Sequence, residues 1–105
     1  MPLYTSDGLL IYGSILLPEA WDTPTTPFDA RAYSDVEVQF VGTPSVAYQP
    51  QRSLDGTNYV NCLAYDEAGN SYSTIAAAGL YVFSGNGYLK FSAGSGSTLT
   101  RRAAA

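Results

Sequence analysis

Histidine is absent from this chain of 105 residues, and a single cysteine, Cys62, is present. Without histidine, the chain cannot form a Ser-His-Asp triad, a Cys-His nucleophilic pair or a histidine-ligated metal site. One cysteine also excludes an intramolecular disulfide. Cys62 lies in the run of residues 59–63 and is expected to pack as a small hydrophobic side chain. These absences argue against an enzyme and favour a binding or assembly role.

Charged residues are also scarce, at 13% of the chain, about half the usual share for a soluble domain. Five basic residues stand against nine acidic ones, for a net charge of −4. The basic residues are Arg31, Arg52, Lys90, Arg101 and Arg102. A nucleic-acid-binding protein normally carries a basic stripe, which this scatter does not provide, so we expect no nucleic-acid partner.

No apolar stretch is long enough to cross a bilayer: the longest, residues 9–17, is far too short. The first residues do not show a basic segment followed by a long apolar core, so no signal peptide is expected. We therefore expect synthesis in the cytoplasm and no membrane partner.

Oxygen ligands for a metal are few. Asp66, Glu67 and Asn70 could bind calcium, but Asp-Glu-Ala-Gly-Asn is also the sequence of an ordinary hairpin turn. Asp35 and Glu37 share one face of a predicted strand, and that face is expected to be wet, so a glycosidase-like carboxylate pair is not expected. We predict no catalytic residue, no metal and no cofactor.

Turn signals recur between short alternating segments through most of the chain. Asp55-Gly56 and Gly69-Asn70 supply the positive φ angles that tight turns need. In residues 34–41, Val36, Val38 and Phe40 alternate with polar residues, which predicts a half-buried strand. Seven or eight such strands predict an all-β fold: a small two-sheet antiparallel β-sandwich or a jelly-roll-like barrel, with an extended N-terminal arm.

Two local predictions concern the second half of the chain. Residues 59–65 are predicted to form one strand. Gly85-Asn86-Gly87 is predicted to be a tight hairpin between residues 80–84 and 88–93. In the latter strand, Leu89 and Phe91 point one way while Tyr88 and Lys90 point the other.

The first 27 residues differ from the rest. An apolar run is followed by Pro18, Pro24 and Pro27, which remove backbone donors and fix φ. We interpret residues 1–27 as an arm, with one apolar strand and a Pro/Thr-rich connector, and residues 28–105 as the sandwich domain. The apolar strand could pair within its own domain or with a neighbouring subunit. The arm supplies the interface candidates Leu9, Leu10, Ile11, Ile15, Leu16, Leu17 and Trp21.

Five short sequence motifs follow one another along residues 28–103. They are Phe28-Asp29-Ala30-Arg31-Ala32-Tyr33, Val36-Glu37-Val38-Gln39, Gln51-Arg52-Ser53-Leu54-Asp55-Gly56-Thr57-Asn58-Tyr59, Ala78-Gly79-Leu80-Tyr81 and Gly94-Ser95-Gly96-Ser97-Thr98-Leu99-Thr100. This order resembles that of small β-sandwich structural proteins in the virions of tailed bacteriophages. Where the related pattern often has an arginine-rich strand, this chain has Tyr88-Leu89-Lys90-Phe91.

The resemblance implies a structural virion protein, and with the short, Tyr-rich, low-charge chain it favours a capsid decoration (cement) protein on the capsid surface. Its expected partners are the major capsid protein or other virion proteins, and it is expected to form a homo-oligomer, with a trimer favoured. A tail or fibre component is one alternative. A carbohydrate-binding module is another, with Trp21, Tyr59, Tyr65 and Tyr72 as stacking platforms.

Overall fold

The computed structural model describes residues 16–104 in full, together with the backbone of residues 3–4 and 10–11. These residues form strands and turns, with no helix in the part described. The strands are β1 (Leu3–Tyr4), β2 (Leu10–Ile11), β3 (Leu16–Ala20), β4 (Phe28–Asp29), β5 (Asp35–Val41), β6 (Pro50–Ser53), β7 (Val60–Asn61), β8 (Ala64–Asp66), β9 (Ser71–Tyr72), β10 (Gly79–Ser84), β11 (Tyr88–Phe91) and β12 (Thr98–Ala104).

Two antiparallel sheets pack as a β-sandwich, which confirms the predicted fold class. The six-stranded sheet has the order β3-β12-β5-β10-β8-β9, and the four-stranded sheet has the order β4-β11-β6-β7. β1 and β2 form a separate antiparallel pair in which Leu3 lies opposite Ile11.

The core lies between the two sheets and is rich in aromatic rings. The alternation predicted for β5 is confirmed, because Val36, Val38 and Phe40 are all buried. The ring of Phe40 meets Tyr48 at 5.1 Å and Phe91 at 5.6 Å, both edge to face. Such pairs contribute about 0.5–1.5 kcal/mol each beyond the burial of their apolar area. The shared face predicted for Leu89 and Phe91 is also confirmed, because both side chains are buried.

The segment before residue 28 contributes directly to the sandwich. β3 is an edge strand of the six-stranded sheet and pairs with β12. Trp21, only 3% exposed, packs its ring 5.3 Å from that of Phe91. The expected boundary between arm and sandwich at residue 27 is therefore too late: residues 16–27 belong to the sandwich. Pro18 does not prevent this, because a short edge strand tolerates a missing donor, and Pro24 and Pro27 lie in the connection between β3 and β4.

β3 carries a β-bulge. Glu19 lies opposite Arg101 and Leu16 lies opposite Ala103, so Leu17 and Pro18 together face the single residue Arg102. A bulge accommodates proline because the extra residue does not take part in the regular ladder.

Gly85-Asn86-Gly87 is not the hairpin that the sequence predicts. The strands on either side, β10 and β11, belong to different sheets, so these residues carry the chain from one sheet to the other. The backbone N–H of Asn86 donates to the carbonyls of Ala30 and Tyr33, and Asn86 has a positive φ of 60°. A Cβ atom added at Gly85 would overlap the carbonyl oxygen of Tyr33, so only glycine fits there.

The single strand predicted for residues 59–65 is likewise divided between the sheets. β7 pairs with β6 in the four-stranded sheet, whereas β8 pairs with β10 in the six-stranded sheet. Cys62 and Leu63 make the crossing. Only these two residues join β7 to β8. The β7 edge of the four-stranded sheet and the β8–β9 edge of the six-stranded sheet therefore lie on the same side of the sandwich.

Candidate functional site

Large apolar side chains are exposed mainly on the side of the molecule where the two sheets meet through residues 62–63. Five of the eight large hydrophobic residues that are exposed in the described part of the chain lie between residues 54 and 72. We call these five the β7–β9 side: Leu54, Val60, Leu63, Tyr65 and Tyr72. Exposed apolar residues concentrated in this way are typical of a surface that contacts another molecule.

A shallow cleft of about 370 Å³ forms one part of the β7–β9 side. Leu54 and Val60, which are 74% and 67% exposed, line it together with Arg52, Ser53, Asp55 and Asn58. Val60 lies opposite Arg52 in the β6–β7 pair, at the edge of the four-stranded sheet. The cleft is therefore open to solvent beside the edge strand β7.

The loop after β6 is held by Asp55. Its Oδ1 accepts the backbone N–H groups of Thr57 and Asn58 and the hydroxyl of Ser53, all at 2.8 Å. Its Oδ2 accepts the side-chain amide of Asn58 at 2.8 Å. These bonds, led by that from the Asn58 backbone, hold the pKa of Asp55 well below its usual range. Gly56 follows with φ +77°, in agreement with its sequence context.

The turn after β8 is built in the same way around Asp66. Its Oδ1 accepts the backbone N–H groups of Ala68 and Asn70, and its Oδ2 accepts the Asn70 amide and the Tyr72 hydroxyl. The Tyr72 bond, first among these, lowers the pKa of Asp66, and the same bond raises the pKa of Tyr72. Both carboxylate oxygens are thus occupied by donors from the turn itself.

This bonding favours the interpretation of the Asp66–Asn70 stretch as a hairpin turn over a calcium loop, since a cation would have to displace four hydrogen bonds. In the described residues, no group of three or more His, Cys, Asp or Glu side chains is placed to hold a metal ion.

Acidic residues predominate in the stretch of sequence that forms the β7–β9 side. The sequence contains neither lysine nor arginine between residues 53 and 89, whereas Asp55, Asp66 and Glu67 all fall in that stretch. Arg52, the nearest cation, is turned to the end of the sandwich, where its guanidinium donates to the carbonyls of Ser84 and Gly85. Arg52 also lines the cleft together with Asp55, so the cleft is bordered by charges of both signs.

The other four basic side chains also have partners within the chain. Arg31 forms a salt bridge with Asp29 at 2.7 Å, and Arg102 pairs with Glu37. The Arg31 side chain lowers the pKa of Asp29 to about 2.

Lys90 and Arg101 are paired with aromatic rings instead. The Lys90 ammonium lies 4.3 Å from the centre of the Tyr59 ring. The Arg101 guanidinium lies between Phe28 and Trp21, at 4.5 and 5.0 Å from their centres. The Arg101 Nε atom is buried and finds no hydrogen-bond partner in the described residues. Because its contacts are with core rings, this arginine serves the packing of β3 and β12.

The aromatic residues suggested as sugar-stacking platforms are not brought together. Trp21 is buried in the core, and one face of the Tyr59 ring is covered by Lys90. Tyr72 lies opposite buried Ala64, whereas the neighbouring Tyr65 lies opposite Val82 on the outer face of the sheet. A carbohydrate platform needs rings that present free faces on one surface, which these four do not.

The predicted interface residues have mixed positions. Leu16 is partly buried against the core, Leu17 is 74% exposed on the bulge of β3, and Trp21 is a core residue rather than a contact residue. For Leu10 and Ile11 only the strand backbone is described, and Leu9 and Ile15 lie outside the described residues. The described candidates do not form one surface.

Leu54, Val60 and Leu63 are not among the residues predicted from the sequence, which suggests Tyr65 and Tyr72 only as sugar-stacking platforms. Alternation in residues 59–65 indicates which side chains share a face, but it does not show where the strand changes sheets. The one available signal is the lack of lysine and arginine around a run containing Leu54, Val60 and Leu63.

Cys62 lies behind this side and is partly buried against the core. Burial raises the pKa of its thiol to about 11, which makes it a poor nucleophile at neutral pH. Its expected role as a packing residue agrees with this environment.

Comparisons with protein-family models, curated proteins and solved structures find no match to this chain. No helix in the described residues is long and apolar enough to cross a membrane. The role of the chain is therefore inferred from its own geometry.

Proposed function

We propose that this chain is a structural protein of a tailed-bacteriophage virion, a capsid decoration protein that binds the outside of the shell and stabilises it through protein contacts. Its partner is the major capsid protein. A homotrimer is the arrangement that local threefold positions of a shell favour. Because such a protein binds the assembled shell and not the free subunits, it stabilises the shell by mass action.

One observation carries the proposal: the described surface offers contact area and little chemistry. Five of the eight exposed large hydrophobic residues of the described chain belong to the β7–β9 side, whereas the carboxylates of Asp55 and Asp66 are hydrogen-bonded within their own turns. Protein interfaces have this character, with an apolar centre depleted of free charge and a polar rim.

The sheet edges favour docking through side chains over the addition of a strand. β4, β7 and β9 are each two residues long, and the longer edge strand β3 is interrupted by the bulge at Leu17 and Pro18. Short, bulged and proline-containing edges are poor templates for strand pairing. The proposed attachment therefore works by burying apolar side chains and not by exchange of an arm strand.

Co-sedimentation with empty shells tests the proposal. The purified chain is mixed with shells assembled from the major capsid protein of the same genome, and shells and free chain are separated on a gradient. We expect saturable binding and a higher melting temperature of the loaded shells. Binding to purified tails in place of shells would favour the tail or fibre alternative, and binding to neither would refute a structural role in the virion.

A further inference from the structure

We infer that Asn86 is a latent site of spontaneous deamidation: the closed Gly85–Gly87 crossing protects it, Arg52 keeps the crossing closed, and conversion of Asn86 weakens the fold. The crossing joins β10 of the six-stranded sheet to β11 of the four-stranded sheet. This inference goes beyond the proposed function and holds whatever partner the chain binds.

The backbone of the crossing favours the residue types that make it chemically labile. Asn86 has a φ of 60°, a left-handed conformation that asparagine adopts more readily than most residues. A Cβ atom at Gly85 would overlap the carbonyl oxygen of Tyr33, and one at Gly87 would lie 2.5 Å from the carbonyl oxygen of Ser53. The fold therefore favours an asparagine directly before a glycine, a pair that occurs nowhere else in the sequence.

An asparagine before a glycine can be attacked by the next backbone nitrogen, because glycine has no side chain to hinder the approach. The Gly87 nitrogen bonds to the side-chain carbonyl carbon of Asn86, the bond from that carbon to the amide nitrogen breaks, and ammonia leaves with the proton that Gly87 loses. Water then opens the cyclic imide. Attack at the side-chain carbonyl gives aspartate, whereas attack at the backbone carbonyl gives isoaspartate, in which the main chain runs through the side chain.

The closed crossing hinders this reaction by fixing both sides of the reacting peptide group. The Asn86 backbone N–H donates to the carbonyls of Tyr33 and Ala30, at 2.7 and 2.9 Å. The Gly87 carbonyl accepts the backbone N–H of Ala30 at 2.7 Å, and Gly87 is buried, which keeps base away from its nitrogen. Ring closure has to bring that nitrogen onto the exposed Asn86 side chain, so the crossing must first open locally.

Arg52 ties the crossing to the other sheet. Its Nε donates to the carbonyl of Ser84 at 3.3 Å, and its Nη2 donates to the carbonyl of Gly85. These carbonyls lie at the end of β10 and the start of the crossing, whereas Arg52 belongs to β6 of the four-stranded sheet. Hydrogen bonds from a charged donor are stronger than those between neutral groups. Arg52 is therefore a positioning residue, and its loss should raise the population of the open crossing.

The other three asparagines serve as internal references. The side chains of Asn58, Asn61 and Asn70 are each hydrogen-bonded to a neighbouring side chain. Each of them also precedes a residue that has a side chain, which hinders attack by the next nitrogen. We therefore expect all three to convert more slowly than Asn86, even in the unfolded chain.

The test follows conversion of asparagine in the full chain at pH 8, by ion exchange and peptide mapping. One sample is folded and the other is unfolded in guanidinium chloride. We expect Asn86 to convert at least tenfold faster in the unfolded sample than in the folded one, and at least tenfold faster than the reference asparagines in the unfolded sample. Asn86→Gly, which accepts the same backbone angle, should remove the fast-converting site.

Matched variants separate the role of Arg52 from a general loss of stability. Arg52→Gln and Arg102→Gln each remove an arginine with a partner in the chain, the first at the crossing and the second beside Glu37. Gly69→Ala strains the turn after β8 and leaves the crossing intact. In chains that melts show to be folded, we expect Arg52→Gln to speed conversion of Asn86 at least threefold and the two controls to leave it unchanged.

The converted chain tests the consequence for the fold. Isoaspartate adds an atom to the main chain between the fixed N–H of Asn86 and the fixed carbonyl of Gly87, so the isoaspartate form, isolated by ion exchange, is expected to melt several degrees lower than the unmodified chain. An unchanged melting temperature would refute this part of the inference.

Three further results would overturn the inference. Equal conversion of Asn86 in the folded and unfolded chains would exclude protection by the crossing. Faster conversion at another asparagine would exclude Asn86 as the site. Equal acceleration by Arg52→Gln and Gly69→Ala would show that Asn86 is exposed by global unfolding and that Arg52 has no particular role.

Discussion

Asn58 holds both oxygens of the Asp55 carboxylate, donating its backbone N–H to Oδ1 and its side-chain amide to Oδ2, each at 2.8 Å. Asn70 holds Asp66 in the same way, at 2.9 and 3.0 Å. The two turns that border the β7–β9 side therefore share one arrangement, in which an aspartate accepts hydrogen bonds from an asparagine three or four residues further along the chain. We call this arrangement the clamp. The clamp works only while the aspartate is ionised, because a protonated oxygen no longer accepts these bonds equally well.

Stability should therefore fall in acid. The pKa values of Asp29, Asp55 and Asp66 are lowered in the folded state from an ordinary value of 3.8, that of Asp29 to about 2. A lowered folded-state pKa gives a contribution that is complete above the unfolded pKa and is lost as the pH falls toward the folded pKa. We expect a nearly constant melting temperature from pH 7 to about 5 and a steep fall below about pH 4. Circular dichroism melts across this range measure it.

The clamp can be separated from the general effect of acid by substitution. Asp55→Asn should lower the melting temperature at pH 7 by several degrees and make its decline in acid shallower, because one titrating group has been removed. Asp22→Asn, in an exposed residue outside both turns, serves as the control and should follow the wild-type curve. Parallel curves for Asp55→Asn and wild type would show that Asp55 does not contribute to the pH dependence.

Two glycines with similar backbone angles should differ in their tolerance of alanine. Gly69 has φ +88° and open space where a Cβ atom would lie, so Gly69→Ala carries only the cost of the left-handed backbone, about 1–2 kcal/mol. At Gly56, φ is +77° and a Cβ would lie 3.1 Å from the Tyr88 ring, so we expect a larger loss of about 2–3 kcal/mol. Urea unfolding of both variants compares them. Equal losses would mean that the Tyr88 ring moves aside freely.

Two N-terminal truncations, one after β3 and one before it, should differ in whether the remaining chain unfolds cooperatively. A chain beginning at residue 28 lacks β3 and Trp21, and it is expected not to unfold cooperatively. A chain beginning at residue 16 keeps both, and it is expected to unfold cooperatively, since β1 and β2 pair only with each other in the described structure.

Trp21→Ala should cost about 3–5 kcal/mol because it empties the space beside Phe28 and Phe91. Trp21→Phe, which keeps an aromatic ring there, is the milder comparison.

For the truncated chain that begins at residue 28, a cooperative transition would instead support the predicted boundary between arm and sandwich at residue 27.

Cys62 should react slowly while the chain is folded. With its pKa raised to about 11 from 9.0, the thiolate fraction at pH 8 is lower by about a hundredfold. Because a thiolate of higher pKa is also a stronger nucleophile, a chromogenic disulfide reagent should label the folded chain about tenfold or more slower than the chain in urea. Equal rates would show that the thiol is open to solvent.

The strands are more predictable than the connections between them. In β5, alternation of Val36, Val38 and Phe40 is a local property that period-two spacing reveals. The crossing at Gly85–Gly87 is not revealed in this way, because glycine and asparagine supply the same positive φ for a hairpin as for a change of sheet. The proline neighbours of Trp21 predict an arm, whereas its burial depends on β12, at the far end of the chain.

The candidate surface is less predictable than the fold. Exposure of Val60 and Leu63 follows from the change of sheet between β7 and β8, which leaves these residues at the open side of the sandwich. No local pattern encodes that change. The predicted interface residues are all apolar, but apolar character does not separate core residues from exposed ones. Trp21 and Leu16 pack in or against the core, whereas Leu17 is exposed.

β12 lies between β3 and β5, so the six-stranded sheet is completed by the strand made last among those described. During synthesis, β3 has no neighbour in the sheet until residues 98–104 leave the ribosome. Its pairing then closes a loop of about 80 residues, a contact of long sequence separation that slows folding. Until that moment the facing edges of β3 and β5 lack a partner strand and remain open to other chains, which makes the interval before β12 pairs the period of greatest risk of misassembly.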